Sequence, residues 1–180
     1  MNKKMLRIII GLTASIVLLL FSLYGRYQAE TQSKQDYVRV VGVSDGDTIT
    51  VLLGGKREKV RLIGIDAPEF QQNPWGQKSK KYLSDLLKTS QWTVSLEFDI
   101  EKRDVHGRLL SYIWTPDKKM INVQMLSEGY AMLYTFPPNI RYFDEFKKAQ
   151  EAARKNSLGI WRQGGLKETP WEYRKGHPQL

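Results

Sequence analysis

Lys59-Val60-Arg61-Leu62-Ile63-Gly64-Ile65-Asp66-Ala67-Pro68-Glu69 is the stretch on which the reading of the fold turns. Residues 59–65 have the composition of a β-strand. In that strand Leu62, Gly64 and Asp66 share one face, and Arg61, Ile63 and Ile65 share the other. Proline cannot donate to a sheet ladder, so pairing is expected to stop at Asp66-Ala67-Pro68. With Leu62 turned to a core, Arg61 projects to the outer face of the sheet. Asp66 and Glu69 stand three residues apart around Pro68, so both carboxylates can turn towards one point.

Working outward, Val38, Val40, Val41 and Val43 run into Asp45-Gly46-Asp47, and residues 48–53 form a second strand. Gly54-Gly55 between the second and third strands is a hairpin turn, because glycine accepts the positive φ that such turns need. After Glu69, residues 77–88 place Tyr82, Leu83, Leu86 and Leu87 at helical spacing, with Lys78, Lys80 and Lys81 opposite. Strands are expected again over 92–98 and 109–114, separated by the polar turn 101–107. A short helix over 123–128 ends at Gly129, and a strand is expected over 130–134. The longest helix covers 141–156, with Phe143, Phe146, Ala149 and Ala153 on one face, and Gly159-Ile160-Trp161 docks behind it. Short antiparallel strands interrupted by helices predict an α+β domain: a five-stranded barrel of the OB type decorated by three helices. Its expected limits are 37–161. Residues 162–180 show little periodicity and are expected to be an extended C-terminal tail.

The first 25 residues read as an address. Lys3, Lys4 and Arg7 precede an uncharged apolar run from Ile8 to Tyr24, the pattern of a signal peptide or signal anchor. Its length is near the lower limit for a bilayer-spanning helix, roughly 17 residues. Tyr27-Gln28-Ala29 offers no clean small-x-small cleavage site, which favours an uncleaved anchor. The positive-inside rule then puts the domain outside the cytoplasm, membrane-anchored, or secreted if the segment is cut. Residues 26–36 are a polar tether.

Composition narrows the chemistry. The chain has 180 residues, 28 Lys+Arg against 19 Asp+Glu, and a net charge of +9, of which +3 lies in residues 1–36 and +6 in the remainder. A basic domain attracts polyanions, although positive charge also serves solubility. With no cysteine, disulfides, thiolate-bound zinc, iron–sulfur clusters and thiol nucleophiles are excluded. Two histidines, His106 and His177, are too few for a histidine-rich metal site. Catalysis, if present, rests on carboxylates, arginines and an oxygen-liking metal.

Three segments carry candidates for such chemistry. Asp45-Gly46-Asp47-Thr48 is by default a turn, but it can also aim the Asp47 carboxylate at a metal from the start of a strand. Its spacing rules out an EF-hand. Asp66 and Glu69 add carboxylates, and Arg61 adds a guanidinium. Asp104-Val105-His106-Gly107-Arg108 closes a hairpin and leaves Arg108 at a strand start. Tyr134-Thr135-Phe136 can serve as a base-stacking surface or equally as core aromatics. Acidic oxygens from Asp47, Asp66 and Glu69 suit a hard cation such as calcium, and two arginines suit a phosphodiester. Phosphodiester hydrolysis needs an activated water and neutralisation of transition-state charge.

These segments, in this order and at these separations, resemble the three signatures of the staphylococcal nuclease-like (thermonuclease) family. The resemblance runs from Tyr37 to Trp161. It extends through Ile121-Asn122-Val123, Gly129-Tyr130-Ala131 and Gly159-Ile160-Trp161, and Pro170-Trp171-Glu172-Tyr173-Arg174 is similar to a tail of exported bacterial members. The resemblance implies calcium-dependent cleavage of DNA and RNA at the 5′-oxygen, leaving 3′-phosphate ends. It implies Asp47, Asp66 and the Ala67 carbonyl as calcium ligands, with Asp45 in the outer shell of the metal site. It gives Glu69 the attacking water and Arg61 and Arg108 the phosphate. His106, Tyr134 and Phe136 then fall in the substrate-binding region. Ala67 stands where the founding enzyme has threonine, and Val105-His106 where it has Lys-Tyr. The partners expected are DNA and RNA substrates and a membrane, with the protein itself a monomer. The alternatives are a non-catalytic nucleic-acid-binding module of the same fold and an envelope scaffold on a membrane stalk.

Overall fold

The computed structural model describes residues 13, 15–24 and 36–178. Residues 15–24 are helical, and they belong to a unit separate from the domain beginning at Tyr37. Most of the expected membrane segment and tether, residues 1–12, 14 and 25–35, lies outside the described residues. Among the described residues no helix is long and apolar enough to cross a membrane.

The domain is built on a closed barrel of five strands in the order β1-β2-β3-β6-β5. β1 is Tyr37–Val43, β2 is Thr48–Leu53, β3 is Lys56–Leu62, β5 is Thr93–Glu97 and β6 is Leu109–Trp114. All neighbouring pairs are antiparallel except β3 with β6, which is parallel and closes the OB-type topology. A register shift between Val40 and Gly42 breaks the β1–β2 ladder, the kind of irregularity that lets a short strand coil into a barrel. A two-stranded ribbon pairs β4 (Ile65–Asp66) with β7 (Met132–Leu133).

Four α-helices flank the sheet among the described residues: α1 (Trp75–Thr89), α2 (Ile121–Ser127), α3 (Phe143–Lys155) and α4 (Pro170–Gly176). The core is where strand alternation meets helix periodicity. Ile49, Val51, Val60, Leu62, Val94 and Ile113 point inward from the barrel, and Leu83, Leu87, Met125, Leu126 and Phe146 come from the helices. Gly159–Trp161 forms a 3-10 turn with Ile160 buried, and the Ile160 N–H donates to the Gly129 carbonyl at 2.8 Å. On α3 only Phe146 and Ala153 are buried, whereas Phe143 is exposed.

Three expectations need correction. β3 ends at Leu62 and does not continue to Ile65, because Gly64 takes a φ of +78° and turns the chain. A side chain there would also collide with the Phe146 ring, at 2.4 Å from its nearest carbon. Consequently Ile63 and Ile65 are both buried, and β4 leaves the barrel to pair with β7. The strand expected over 130–134 shrinks to two residues, since Tyr130 and Ala131 donate backwards to the Met125 carbonyl and cap α2. The tail expected to be extended contains α4, a fourth helix. Thr169 and Glu172 form a capping box around Pro170, a local signal that the lack of longer periodicity obscures.

One buried side chain locks the corner that carries β4. Asn122 at the start of α2 is fully buried; its Oδ1 accepts from Ile113 N at 2.9 Å and its Nδ2 donates to Ile63 O at 2.8 Å. This clamps the β3–β4 corner to β6. Asn122→Ala leaves two buried backbone groups without partners, each worth about 1–3 kcal/mol. The expected outcome is a loss of about 2–5 kcal/mol in urea unfolding, with little change in the denaturant slope.

Candidate active site

The turn before β2 is shaped by close packing. At Gly46 a Cβ would meet the Cβ atoms of Ala67 and Ser79 at 2.6 and 2.7 Å, so only glycine lets the turn sit against the β4 exit and α1. Asp45 Oδ1 accepts from the Asp47 N–H at 3.0 Å, fixing the turn, and the Asp47 carbonyl accepts from Leu62 N at 2.9 Å. Asp47 is thereby aimed inward, 6% exposed. Its Oδ2 accepts from the Ala67 N–H at 2.7 Å and its Oδ1 from the Thr48 hydroxyl at 3.1 Å.

Arg61 joins the acids. Lying opposite Thr48 in the β2–β3 ladder, it pairs through Nη1 with Asp47 Oδ1 and through Nη2 with Asp66 Oδ1 at 3.0 Å. The Arg61 side chain is 14% exposed and flanked by carboxylates, so it does not project freely outside the barrel. Burial presses it below the ordinary arginine value, against the pull of Asp66 and Asp45; guanidinium remains charged all the same. Partial burial likewise raises Asp45, which Arg61 and Thr48 oppose. Asp66, carried by β4, is 2% exposed.

Glu69 directly follows Pro68. Its N–H donates to Gln72 Oε1 at 2.9 Å, and its carbonyl packs so closely on α1 that a Cβ at Gly76 would fall 1.9 Å away. Arg108 comes from the 101–108 hairpin. Asp104 organises that hairpin by accepting from His106 N at 2.9 Å, Arg108 N at 3.0 Å and Arg108 Nε at 2.7 Å.

These elements surround a cavity of about 580 Å³ lined by Asp45, Asp47, Lys59, Arg61, Ala67, Glu69, Arg108, His106, Tyr134 and others, with Asp66 pressed against Arg61 at its edge. A neighbouring groove of about 600 Å³ shares Arg61, Arg108, His106 and Tyr134 and adds the exposed Phe136 and Val105. Of the residues singled out from sequence, Asp47, Arg61, Ala67, Glu69, Arg108, His106 and Tyr134 line the first cavity, whereas Phe136 lies only in the second.

The acids do not meet as a bare cluster. Among the described residues no group of three or more Asp, Glu or His side chains converges to hold an ion. Asp47 and Asp66 are bridged by Arg61, and Asp66 and Glu69 by Arg174, which sequence reasoning missed. Arg174 Nη1 donates to Asp66 Oδ1 at 3.1 Å and Glu69 Oε1 at 2.7 Å, and its Nη2 to Asp66 Oδ2 at 2.9 Å. The Thr169–Glu172 capping box was the available signal for the helix that delivers it.

A family model described as Staphylococcal nuclease homologue matches residues 59–163. The thermonuclease of Staphylococcus intermedius is 34% identical over 168 residues, covering 88% of this chain and 98% of that protein. The chain belongs to the staphylococcal nuclease family. Other relatives are the endonuclease YncB of Bacillus subtilis, 33% identical over 78% of this chain and 69% of its own length, and a micrococcal nuclease of Shigella flexneri, 32% identical over 76% and 79%. The match to the family model takes in the second half of β3, β4 and the 101–108 hairpin, and so includes Arg61, Asp66, Glu69 and Arg108.

Asp104 supplies a test of how this family member positions Arg108. Burial disfavours its charge, but hydrogen bonds from Arg108 and His106 outweigh that and hold its carboxyl below the ordinary 3.8. A depressed folded-state value stabilises the protein above the unfolded value, near 3.9, and that contribution is lost as pH falls through the folded value. Asp104→Asn is expected to cost about 1–2 kcal/mol at neutral pH. The unfolding free energies of the variant and the parent should approach each other as the pH is lowered below 4, measured by urea denaturation across pH.

Proposed function

We propose that this chain is a calcium-dependent nuclease that hydrolyses phosphodiester bonds of DNA and RNA at the 5′-oxygen and leaves 3′-phosphate ends. The observation that carries the reading is the convergence of Arg61, Arg108 and Glu69 on one cavity, beside the buried carboxylates Asp47 and Asp66. Relatives named thermonuclease, endonuclease and micrococcal nuclease support the same class of substrate.

The donor chemistry fits a hard cation. Asp47 and Asp66 are both buried, and each leans on positive charge. All the candidate ligands are oxygens, as calcium prefers. Asp47, Asp66 and the Ala67 carbonyl would hold the ion, with Asp45 behind them. Bound there, it would supply Lewis-acid neutralisation of charge on a phosphate oxygen.

The chain's own groups do the rest. Arg61 and Arg108 offer planar forks that can grip two phosphate oxygens and strengthen their hold as charge accumulates in the transition state. Glu69, with its side chain 26% exposed, can reach a water and accept its proton. In the adjoining groove, Tyr134, Phe136 and His106 offer ring surfaces to the flanking nucleoside. The excess of positive charge draws the polyanion in. The proposal also keeps the N-terminal apolar run as a signal or anchor that places a monomeric domain outside the cytoplasm.

Glu69→Gln and Arg108→Ala should each lower turnover on DNA by about 10²–10⁴-fold, with circular dichroism showing that the fold is kept. Near-parental turnover in either variant would contradict the mechanism. Clearing of DNA in an agar plate should stop when a calcium chelator is added; binding without clearing would indicate a module that only binds.

A further inference from the structure

Arg174 reaches the site from outside the barrel and outside the segment matched by the family model. Apart from the bonds of Arg174 itself, its helix is held to the domain at its base. The Glu168 carbonyl accepts from Gln72 Nε2 at 3.1 Å, Leu166 N donates to the Ile160 carbonyl at 3.1 Å, and Pro170 is the one buried residue of α4. Among the described residues the ring contacts of α4 fall within its own segment: Tyr173 stacks on His177 with centroids 4.1 Å apart, and Lys175 Nζ sits 3.6 Å over the Trp171 ring. A helix held together by its own contacts can tilt away from the barrel without breaking many of them.

The guanidinium at its tip uses what a cation would use. Both oxygens of Asp66 accept from Arg174, and Asp66 Oδ1 accepts from Arg61 as well. Glu69 Oε1 accepts the third bond. A carboxylate oxygen has only two lone pairs, so this pattern leaves little of Asp66 for another ligand. A divalent ion placed on the same oxygens would also repel a guanidinium a few ångströms away. The two arginines on Asp66 are not equally placed for exchange. The Arg61 side chain is 14% exposed between two buried acids, whereas that of Arg174 is 36% exposed at the cavity wall.

We propose that Arg174 and a divalent cation are mutually exclusive partners of Asp66, so that α4 is a built-in competitor setting the affinity of the site for its metal. This inference rests on the metal-dependent reading above. In it, exchange of Arg174 for the ion frees Glu69 to face water and leaves a third guanidinium at the mouth of the cavity. Arg174 is held above its ordinary value: burial works against its charge, and the bonds to Asp66 and Glu69 outweigh burial. Exchange with calcium is therefore a movement of the charged side chain and involves no loss of a proton.

Titration calorimetry of the full chain with calcium chloride tests it, comparing the parent with Arg174→Ala and with Arg174→Gln, which keeps hydrogen-bond donors without the charge. The expected result is calcium affinity at least about tenfold tighter in Arg174→Ala, with a smaller gain in Arg174→Gln. In chelator the melting midpoint of Arg174→Ala should lie below the parent's, because Glu69 loses its ion pair and Asp66 one of its two, and saturating calcium should close that gap. Unchanged or weaker calcium affinity in Arg174→Ala, with the parent binding normally, overturns the competition and leaves the metal-dependent reading intact. If neither the parent nor Arg174→Ala binds calcium, the metal-dependent reading fails and the competition fails with it. Should Arg174→Ala not fold, the same comparison is decided by Arg174→Gln.

Discussion

Two carboxylates, Asp47 and Asp66, are buried at the rim of a small barrel, and the structure depends on how their charge is answered. An isolated buried carboxylate is costly enough that proteins either neutralise it or surround it with donors and cations. Here Arg61 spans the two, while backbone N–H and hydroxyl donors complete Asp47. Three glycines make this possible: Gly46 admits the acidic turn against Ala67 and Ser79, Gly64 turns β3 away into β4, and Gly76 lets α1 close on Glu69. Each of these packing choices fixes where a carboxylate or a carbonyl can lie. The barrel is thus less a container for the site than the means of holding like charges close together.

From this constraint comes a division of labour. Asp47 and Asp66 lie deep and are closely bonded, in keeping with the cation site proposed for them. Arg108 is mounted on a hairpin ordered by Asp104 and lines the same cavity, in keeping with the phosphate contact proposed for it. Phe136 stands in an adjoining groove that shares Arg61, Arg108, His106 and Tyr134 with the first. A polymer lying across both would present its phosphate to charge and its neighbouring nucleoside to rings. Arg174 adds a third cation, delivered by a short helix whose other contacts are mostly its own, and so the least committed of the three.

Much of the scaffold was legible in the sequence because its signals are local. The strand Leu109–Trp114 coincides with its expected bounds, since a polar turn precedes it and an apolar alternation defines it. Gly54-Gly55 marks the β2–β3 hairpin, where both residues have positive φ. The helix bounds move by a few residues because ends are set by carbonyl acceptors that periodicity does not report. The end of β3 was misread for a different reason. Arg61 to Asp66 alternates well enough to pass for one strand, and only the Phe146 ring from α3, packed against Gly64, shows why the chain must turn there. The same turn buries Ile63 beside its neighbour Leu62, which a strand with one face in the core could not do.

The amino-acid order by itself determined the barrel class, the basic charge, the absence of thiol chemistry and the set of acids and arginines available. Those properties follow from composition and from contacts within a few residues. Only the tertiary structure decided who partners whom: that Arg61 joins Asp47 to Asp66, that Asn122 clamps the corner carrying β4, and that Arg174 closes on Asp66 and Glu69. Apart from Arg61 with Asp66 and Asn122 with Ile113, each of those pairings spans more than a dozen residues, and those of Arg174 more than a hundred. Charge pairing acts through space, and proximity in space is set by the packing of the whole domain.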